Sequence, residues 1–205
     1  LKSGDRVLVH SAGGGVGLAA LDLLKRRGAV AVGTASAHKH NFLRQRGYSR
    51  VVDYQTEDFE VALSTDPKFD LILDPVGGDS WAKGLRLLRP GGRLVCFGMS
   101  SNATGSTRSV VAALRNLWRI PWTRFNPIWL INHNIGVLGV NMGHLWDEQE
   151  RVAGWLDSLL EMWREGHLQP VIHATIPYNR AAEAHRILHA RENLGKVVLS
   201  FEGCP

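Results

Sequence analysis

The sequence predicts an α/β fold with a doubly wound parallel sheet, and two observations support this prediction. Over the first hundred residues, short runs of β-branched and aliphatic residues alternate with segments of helical periodicity, which indicates successive βαβ units and a parallel sheet. The first strand passes into the first helix through a glycine-rich turn. Right-handed crossovers between parallel strands then place helices on both faces of the sheet.

The predicted elements follow one another in a regular order. Strands are predicted at 6–10, 29–34, 51–53, 69–74 and 93–97, separated by helices at 16–27, 38–46, 57–63 and 80–88. Residues 101–133 break this rhythm, and a sixth strand (135–140) and an amphipathic helix (147–165) follow them. The tail predicts a strand at 171–176, a helix at 181–189 with Asn179 as its N-cap, and a strand at 196–201.

The composition is that of a globular protein. Of the 205 residues, 44% are hydrophobic and 21% are charged, and the longest apolar runs are strand-length, too short to span a bilayer. The chain enters its first strand without a signal peptide, and Cys96 and Cys204 form neither a disulfide framework nor a C-x-x-C pair. These features predict a cytoplasmic protein with reduced thiols.

The formal net charge of +5 comes from one segment, since residues 80–146 contain eight basic residues and no acidic one. No nucleic-acid recognition motif accompanies this charge, so nucleic acid is not expected as a partner. Arg and Trp interleave between 108 and 133, which is typical of a membrane-surface helix or of a cap over a cleft or a dimer contact. Pro121 and Pro127 favour the second interpretation, because they interrupt any continuous amphipathic helix.

The glycine-rich turn is the most informative segment. Gly13, Gly14, Gly15, Val16 and Gly17 follow a strand and open a helix, which is the context that a dinucleotide-binding fingerprint requires. Such glycines let the backbone turn tightly and approach a pyrophosphate, and the start of the helix offers free N–H groups and a partial positive charge. The alternative is a glycine-rich turn without a ligand. We favour a Rossmann dinucleotide site.

The end of the second strand indicates which dinucleotide binds. An NAD site would place an Asp or Glu there, on the ribose 2′-hydroxyl, but no acid occurs from residue 23 to residue 52. Ser36 and Lys39 instead supply a hydroxyl and a cation, both of which suit a 2′-phosphate. An ordinary solvated lysine is the alternative for Lys39. The pattern predicts NADP(H) rather than NAD(H).

Several motifs together resemble the medium-chain dehydrogenase/reductase superfamily, in its zinc-independent quinone oxidoreductase branch. They are the glycine turn, Asp53-Tyr54, the Asp-Pro-Val-Gly-Gly run at 74–78, the Leu-Leu-Arg-Pro-Gly-Gly-Arg run at 87–93 and the closing run at 193–199. Within that branch, the segment from Thr104-Gly105 onward and the run at 139–143 are similar to the VAT-1 subgroup. The resemblance covers nearly the whole chain.

The resemblance implies a domain layout. In this family a catalytic domain of GroES-like fold precedes the cofactor domain, so this chain would be a cofactor-domain fragment. We assign residues 1–166 to a dinucleotide-binding Rossmann domain. Residues 167–205 would complete the absent catalytic domain. The catalytic residues are therefore unknown, and the chain by itself would be inactive.

The resemblance also implies positions for the cofactor. Gly15 and Val16 would lie on the pyrophosphate and Val76 near the adenosine ribose, while Ser36, Lys39 and Tyr54 would surround the 2′-phosphate. The nicotinamide side would be formed by residues at the ends of strands five and six, namely Phe97, Gly98, Ser100, Val140 and Asn141. These are strand carboxyl ends, where open α/β sheets place ligands. For Tyr54 and Phe97, ordinary packing is the alternative.

No metal is expected, because no Cys/His cluster has zinc spacing and the pair His185 and His189 has no third ligand. The main functional hypothesis is an NADPH-dependent oxidoreductase that passes hydride to a small-molecule substrate, a quinone or a conjugated carbonyl. The alternative is a non-enzymatic NADPH-binding adaptor or membrane-associated protein. A homodimer is also predicted, through strand 135–140 at the sheet edge.

Overall fold

A computed structural model describes residues 1–100 and 125–201. Its strands are β1 (Arg6–Val9), β2 (Val30–Thr34), β3 (Arg50–Val52), β4 (Phe69–Asp74), β5 (Leu88–Cys96), β6 (Gly136–Gly139), β7 (Ile172–Pro177) and β8 (Lys196–Ser200). Its helices are α1 (Gly15–Arg26), α2 (His40–Arg46), α3 (Phe59–Ala62), α4 (Asp79–Leu87), α5 (Pro127–His133), α6 (Gln149–Arg164) and α7 (Ala181–His189). Element types and order agree with the prediction.

The first six strands form one parallel sheet in the order β3-β2-β1-β4-β5-β6. From β1 the chain winds outward to β3, then returns to β4 and winds outward to β6 in the other direction. This confirms the doubly wound Rossmann prediction. The order reverses between β1 and β4, so the crevice at their carboxyl ends is where a ligand is expected.

Two hydrophobic clusters cover the two faces of this sheet. Val7 and Val9 pack with α1 on one face, whereas Leu8 packs on the other face with Phe69 and Ile72. Adjacent residues of a strand point to opposite faces, so a strand covered on both sides is apolar at consecutive positions. This explains why the central strands are continuous apolar runs rather than alternating ones.

Two local predictions were wrong. Strand β5 starts at Leu88, not at 93, and its pairing with β4 shifts between Phe69↔Leu88 and Leu71↔Arg93. The Pro-Gly-Gly turn signal at 90–92 lies inside this bulge, where such residues are tolerated. Helix α7 starts after a 3₁₀ turn at Tyr178–Arg180, and no side chain caps it. Asn179 therefore lies within the turn and is not the N-cap.

The tail forms a separate parallel pair, β7 and β8, with its own small cluster of Ile176, Ala184 and Ile187. It touches the large sheet at the glycine turn, where Gly195 N–H donates to the Gly13 carbonyl at 2.8 Å. The predicted domain boundary at 166/167 lies before β7 and stays a prediction. The assignment of this unit to a catalytic domain stays a prediction as well.

Helix α6 is the longest helix in the described ranges, and its side chains of Trp155, Leu159 and Trp163 are exposed. Among residues 1–100 and 125–201, no helix is both long and apolar enough to cross a membrane. Most of the Arg/Trp-rich segment lies outside the described residues. Its described end begins α5, with Pro127 at the first helical position and Asn126 as the cap.

Candidate functional site

A cleft of about 550 Å³ opens at the carboxyl ends of β1, β2 and β4. Six of the predicted cofactor residues line it, namely Gly14, Ser36, Lys39, Tyr54, Val76 and Ser100. Three more, at 15–17, form the first turn of α1 beside it. The structure therefore assembles most of the predicted site at the expected crevice.

The glycine turn leaves the start of α1 open to an anion. Gly14 is the N-cap and has no side chain to cap the helix, and the first turn holds no acidic residue. The first helical hydrogen bond runs from Leu18 N–H to the Gly14 carbonyl at 3.0 Å, so the N–H groups of residues 15–17 lie outside the helical ladder. Such a helix start suits a phosphate group.

Two glycines of this turn, Gly15 and Gly17, lie close to neighbouring groups. A Cβ on Gly17 would lie 2.6 Å from the Ala12 carbonyl oxygen, so only glycine lets the helix approach the strand this closely. A Cβ on Gly15 would lie 2.5 Å from Cε of Lys196, whose side chain crosses the helix start. Val16, between them, is exposed. The predicted role of Gly17 in helix–strand packing matches this geometry.

At one end of the cleft, four polar side chains form what we call the phosphate corner: Ser36, Lys39, Tyr54 and Arg191. The Ser36 and Tyr54 hydroxyl oxygens lie 3.1 Å apart, and the Arg191 guanidinium donates to the Tyr54 hydroxyl at 3.1 Å. Lys39 Nζ donates to the Asn193 carbonyl at 2.6 Å. Lys39 is only 7% exposed, which argues against an ordinary solvated lysine.

The pKa values of Lys39 and Tyr54 in this corner depend on burial and on nearby charges. Burial lowers the pKa of Lys39, and the charge of Arg191 adds to this effect against the opposing influence of Tyr54. For Tyr54, burial raises the pKa, but hydrogen bonds with Ser36 and Arg191 and the two positive charges outweigh it, so the net pKa is lowered. The lowered pKa of Lys39 thus reflects mainly its burial, whereas that of Tyr54 reflects hydrogen bonds and two nearby positive charges, which a bound anion would partly neutralise.

Arg191 and Asn193 belong to the site but were not predicted. They come from the connection between α7 and β8, and 137 residues separate Arg191 from Tyr54. Arg191 adopts a positive φ of 56°, and no local pattern in the sequence marks it. Its closeness to the closing motif at 193–199 was the only available signal.

Asp74 supports another part of the cleft lining, the loop that follows β4. Its buried carboxylate accepts hydrogen bonds from the N–H groups of Val76 at 2.6 Å and Gly77 at 3.1 Å, and from the Ser80 hydroxyl at 2.6 Å. Gly77 has a positive φ of 80°, which glycine adopts without strain. Asp74 therefore holds the loop that carries Val76 to the cleft.

His10, which also was not predicted as a site residue, lies at the floor of the cleft directly after β1. Its Nδ1 lies 3.0 Å from the Thr34 hydroxyl oxygen, and the Phe59 ring packs edge-on against it. Burial lowers the pKa of His10 more than the Asp74 carboxylate raises it. The position of His10 at a strand carboxyl end was the signal available in the sequence.

The residues predicted for the nicotinamide side come together only in part. Phe97 N–H donates to the Asp74 carbonyl and Ser100 N–H to the Pro75 carbonyl, and a Cβ on Gly98 would lie 2.8 Å from the Pro75 carbonyl oxygen. Of these only Ser100 lines the cleft. Farther along, Val140 and Asn141 follow β6 outside the cleft lining, and the Asn141 side chain caps a 3₁₀ turn.

Two further observations concern reactive groups. Burial, assisted by the Asp74 carboxylate, raises the pKa of Cys96 to about 12, so this thiol is not a nucleophile at neutral pH. In the described parts of the chain, no group of three or more His, Cys, Asp or Glu could hold a metal ion. The predicted absence of zinc stays a prediction.

Comparison with known proteins places these observations in a family. The family model described as zinc-binding dehydrogenase matches residues 46–199. The chain is 38% identical to the synaptic vesicle membrane protein VAT-1 homolog of Rattus norvegicus over 204 residues, which are 97% of this chain and 50% of that protein. The chain spans about half the length of the curated relatives it matches.

Solved structures agree. The human synaptic vesicle membrane protein VAT-1 homolog-like protein superposes with a TM-score of 0.74 at 26% identity, over 100% of this chain and 56% of the other. The quinone oxidoreductase of Escherichia coli, solved in complex with NADPH, gives the same TM-score and identity over 97% of this chain and 58% of the other. The chain therefore belongs to the zinc-binding dehydrogenase family, within the medium-chain dehydrogenase/reductase superfamily.

Proposed function

We propose that this chain is the cofactor-binding part of an NADPH-dependent oxidoreductase that reduces a quinone or a conjugated carbonyl. The observation that carries the proposal is the phosphate corner, where two cations and two hydroxyls converge beside the end of β2. No carboxylate from residues 23–52 competes for this position. A 2′-phosphate needs such donors, and an NAD-type carboxylate would repel it.

The rest of the cleft fits the remainder of a dinucleotide. The uncapped start of α1 can bind the pyrophosphate, and the side chain of Lys196 crosses Gly15 at that point. The groups at this helix start are backbone N–H donors, and the first turn contains no acidic residue. An anion bound there would therefore be stabilised. Ser100 lines the cleft near the end of β5, on the side proposed for the nicotinamide.

A bound NADPH would supply the hydride, and the protein groups would orient it. Ser36, Lys39, Tyr54 and Arg191 would anchor the phosphate end, and the Asp74 loop would fix the wall that Val76 forms. Substrate identity and the catalytic groups would then depend largely on a GroES-like domain that is not part of this chain. The structural similarity to the quinone oxidoreductase of Escherichia coli, which was solved in complex with NADPH, supports the choice of cofactor.

We further propose that the protein forms a homodimer through β6. This strand is at the edge of the six-stranded sheet, and Leu138 and Val140 are 49% and 44% exposed. Neither side chain carries a charge that would discourage pairing with a second chain. A two-fold axis beside β6 would join two sheets through one self-complementary surface.

The proposed location is the cytoplasm. The chain has two cysteines and no disulfide framework, which supports a reducing compartment.

Cofactor titration and turnover test the main proposal. Full-length protein that contains this chain should bind NADPH more tightly than NADH and oxidise it in the presence of quinones or enones. Equal dissociation constants for the two cofactors would contradict the NADPH assignment. Tight binding without turnover across both substrate classes would favour the non-enzymatic adaptor. The isolated chain is expected to bind cofactor with negligible quinone reduction, because half of the cleft would be missing.

A further inference from the structure

One ring nitrogen of His10 is buried without a hydrogen-bond partner among the described residues. His10 is 3% exposed and lies at the floor of the cleft, with Nδ1 beside the Thr34 hydroxyl. Its Nε2 is buried and has no hydrogen-bond partner in the described part of the chain. A buried polar atom without a partner costs about 1–3 kcal/mol. The arrangement therefore calls for a partner that these residues do not supply.

The charge state of His10 restricts that partner. Because burial lowers its pKa, the imidazole is neutral at neutral pH. A neutral imidazole has one donor and one acceptor nitrogen, and the Thr34 hydroxyl can pair with either. Nε2 thus offers one directed, uncharged hydrogen bond. Such a bond suits a neutral polar edge, whereas the two anionic parts of the cofactor have cationic or helix-start partners elsewhere in the cleft.

The surroundings of His10 form a recess of the same cleft that contains those two anion sites. Thr34, Phe59 and Ser80 line it together with His10, and the His10 and Phe59 ring centroids lie 4.5 Å apart. Phe59 belongs to the four-residue helix α3 and is only half-buried, so its ring forms an aromatic wall beside the imidazole. A flat group with a polar rim fits such an aromatic-walled recess.

We propose that His10 recognises the adenine base of the cofactor through Nε2, which makes this recess a base-recognition subsite. Adenine presents an amino donor and ring-nitrogen acceptors along its edge, so either tautomer of His10 meets a complementary atom. The inference rests on the cofactor binding proposed above. It differs from that proposal because the contact would act equally on NADPH and NADH and would discriminate between bases.

The test uses full-length protein and two variants at position 10. His10→Phe keeps the aromatic contact with Phe59 and removes both nitrogens, whereas His10→Gln keeps an uncharged donor and acceptor. Ser49→Ala is the control, since the hydrogen bond from its hydroxyl to the Ala31 carbonyl is partly buried and lies outside the cleft. Dissociation constants are measured for NADPH, NADH and the hypoxanthine analogue of NADPH, and unfolding is measured without cofactor.

His10→Phe should lower the affinity for NADPH and for NADH about 5–10-fold, the scale of one neutral hydrogen bond. Discrimination between NADPH and its hypoxanthine analogue should disappear, and His10→Gln should recover most of the loss. Affinities unchanged in both variants, or lost equally for the analogue, would overturn the proposal. If neither variant folds, the ¹⁵N signal of Nε2 in the unmutated protein decides: it should shift on saturation with NADPH but not with nicotinamide mononucleotide.

The two possible failures are distinguishable. If the unmutated protein binds neither NADPH nor NADH, the proposed function and this inference fall together. If it binds NADPH while the Nε2 signal stays unchanged, only the role of His10 is lost.

Discussion

The six-stranded sheet and the β7–β8 pair use the same parallel pairing but differ in burial. In β1, three of four residues are buried, whereas β7 buries only Ile176 among six. Helices cover both faces of the large sheet, while the small pair leaves Ile172, Val198 and Leu199 exposed. The large sheet therefore has a buried core on each of its faces. The small pair contributes Arg191 and Asn193 to the cleft but lacks a complete core of its own.

Core substitutions in the two units test whether this difference in burial is also a difference in stability. Phe69→Ala, at a fully buried position of β4, should cost about 3–5 kcal/mol of unfolding free energy, because a large cavity forms in the main core. Ile176→Ala in β7 should cost about 2 kcal/mol, the bottom of the usual range, because its cluster is small. Denaturant unfolding measures both. Equal losses would show that the β7–β8 pair is as well packed as the sheet.

The second effect concerns the cation that the large sheet contributes. Lys39→Ala should reduce the preference for NADPH over NADH by about 1.5–3 kcal/mol, the scale of a charge-assisted hydrogen bond. Lys68→Ala is the control, since Lys68 donates to the Arg86 carbonyl away from the cleft. Isothermal titration with both cofactors gives the comparison. If the Lys39→Ala variant keeps the full preference for NADPH over NADH, the 2′-phosphate binds elsewhere.

The open edge of the large sheet gives the third test. Val140 N–H donates to the Cys96 carbonyl of β5, so by strand alternation the N–H of Val137 faces away from β5. Val137→Pro should leave the sheet intact and weaken a homodimer by about 1–3 kcal/mol, because two symmetric donors are lost. Sedimentation at several concentrations measures this. Unmutated full-length protein that stays monomeric at a concentration of about tens of micromolar would refute the dimer.

The smallest effect tests the contribution of the β7–β8 unit. Arg191→Ala should weaken NADPH binding about 3–10-fold and leave NADH binding unchanged, a modest loss because the exposed guanidinium is screened by water. Arg186→Ala is matched to it, since Arg186 pairs with Glu192 on the surface. Fluorescence titration suffices for both. A loss as large as that of Lys39→Ala would mean that the two regions bind the phosphate equally.

The parts of the site that could be predicted are contiguous in sequence. The glycine turn, Ser36 with Lys39, and the motif around Val76 each lie within one βα connection, where local spacing fixes their position. The bulge in β5 and the position of Asn179 were mispredicted, because turn-forming residues do not reveal whether a neighbouring strand continues to pair beside them. Packing against β4 decided the first case.

The parallel sheet, the glycine turn and the acid-free end of β2 could be predicted from the sequence, because hydrophobic periodicity and backbone freedom are local properties. The tertiary fold brings Arg191 to Tyr54 and Lys39 to Asn193, and it buries His10 with no partner for Nε2 among the described residues. These contacts join segments up to 154 residues apart. The contacts of Arg191 and Asn193 follow from how the β7–β8 unit docks on the sheet, which no local pattern encodes.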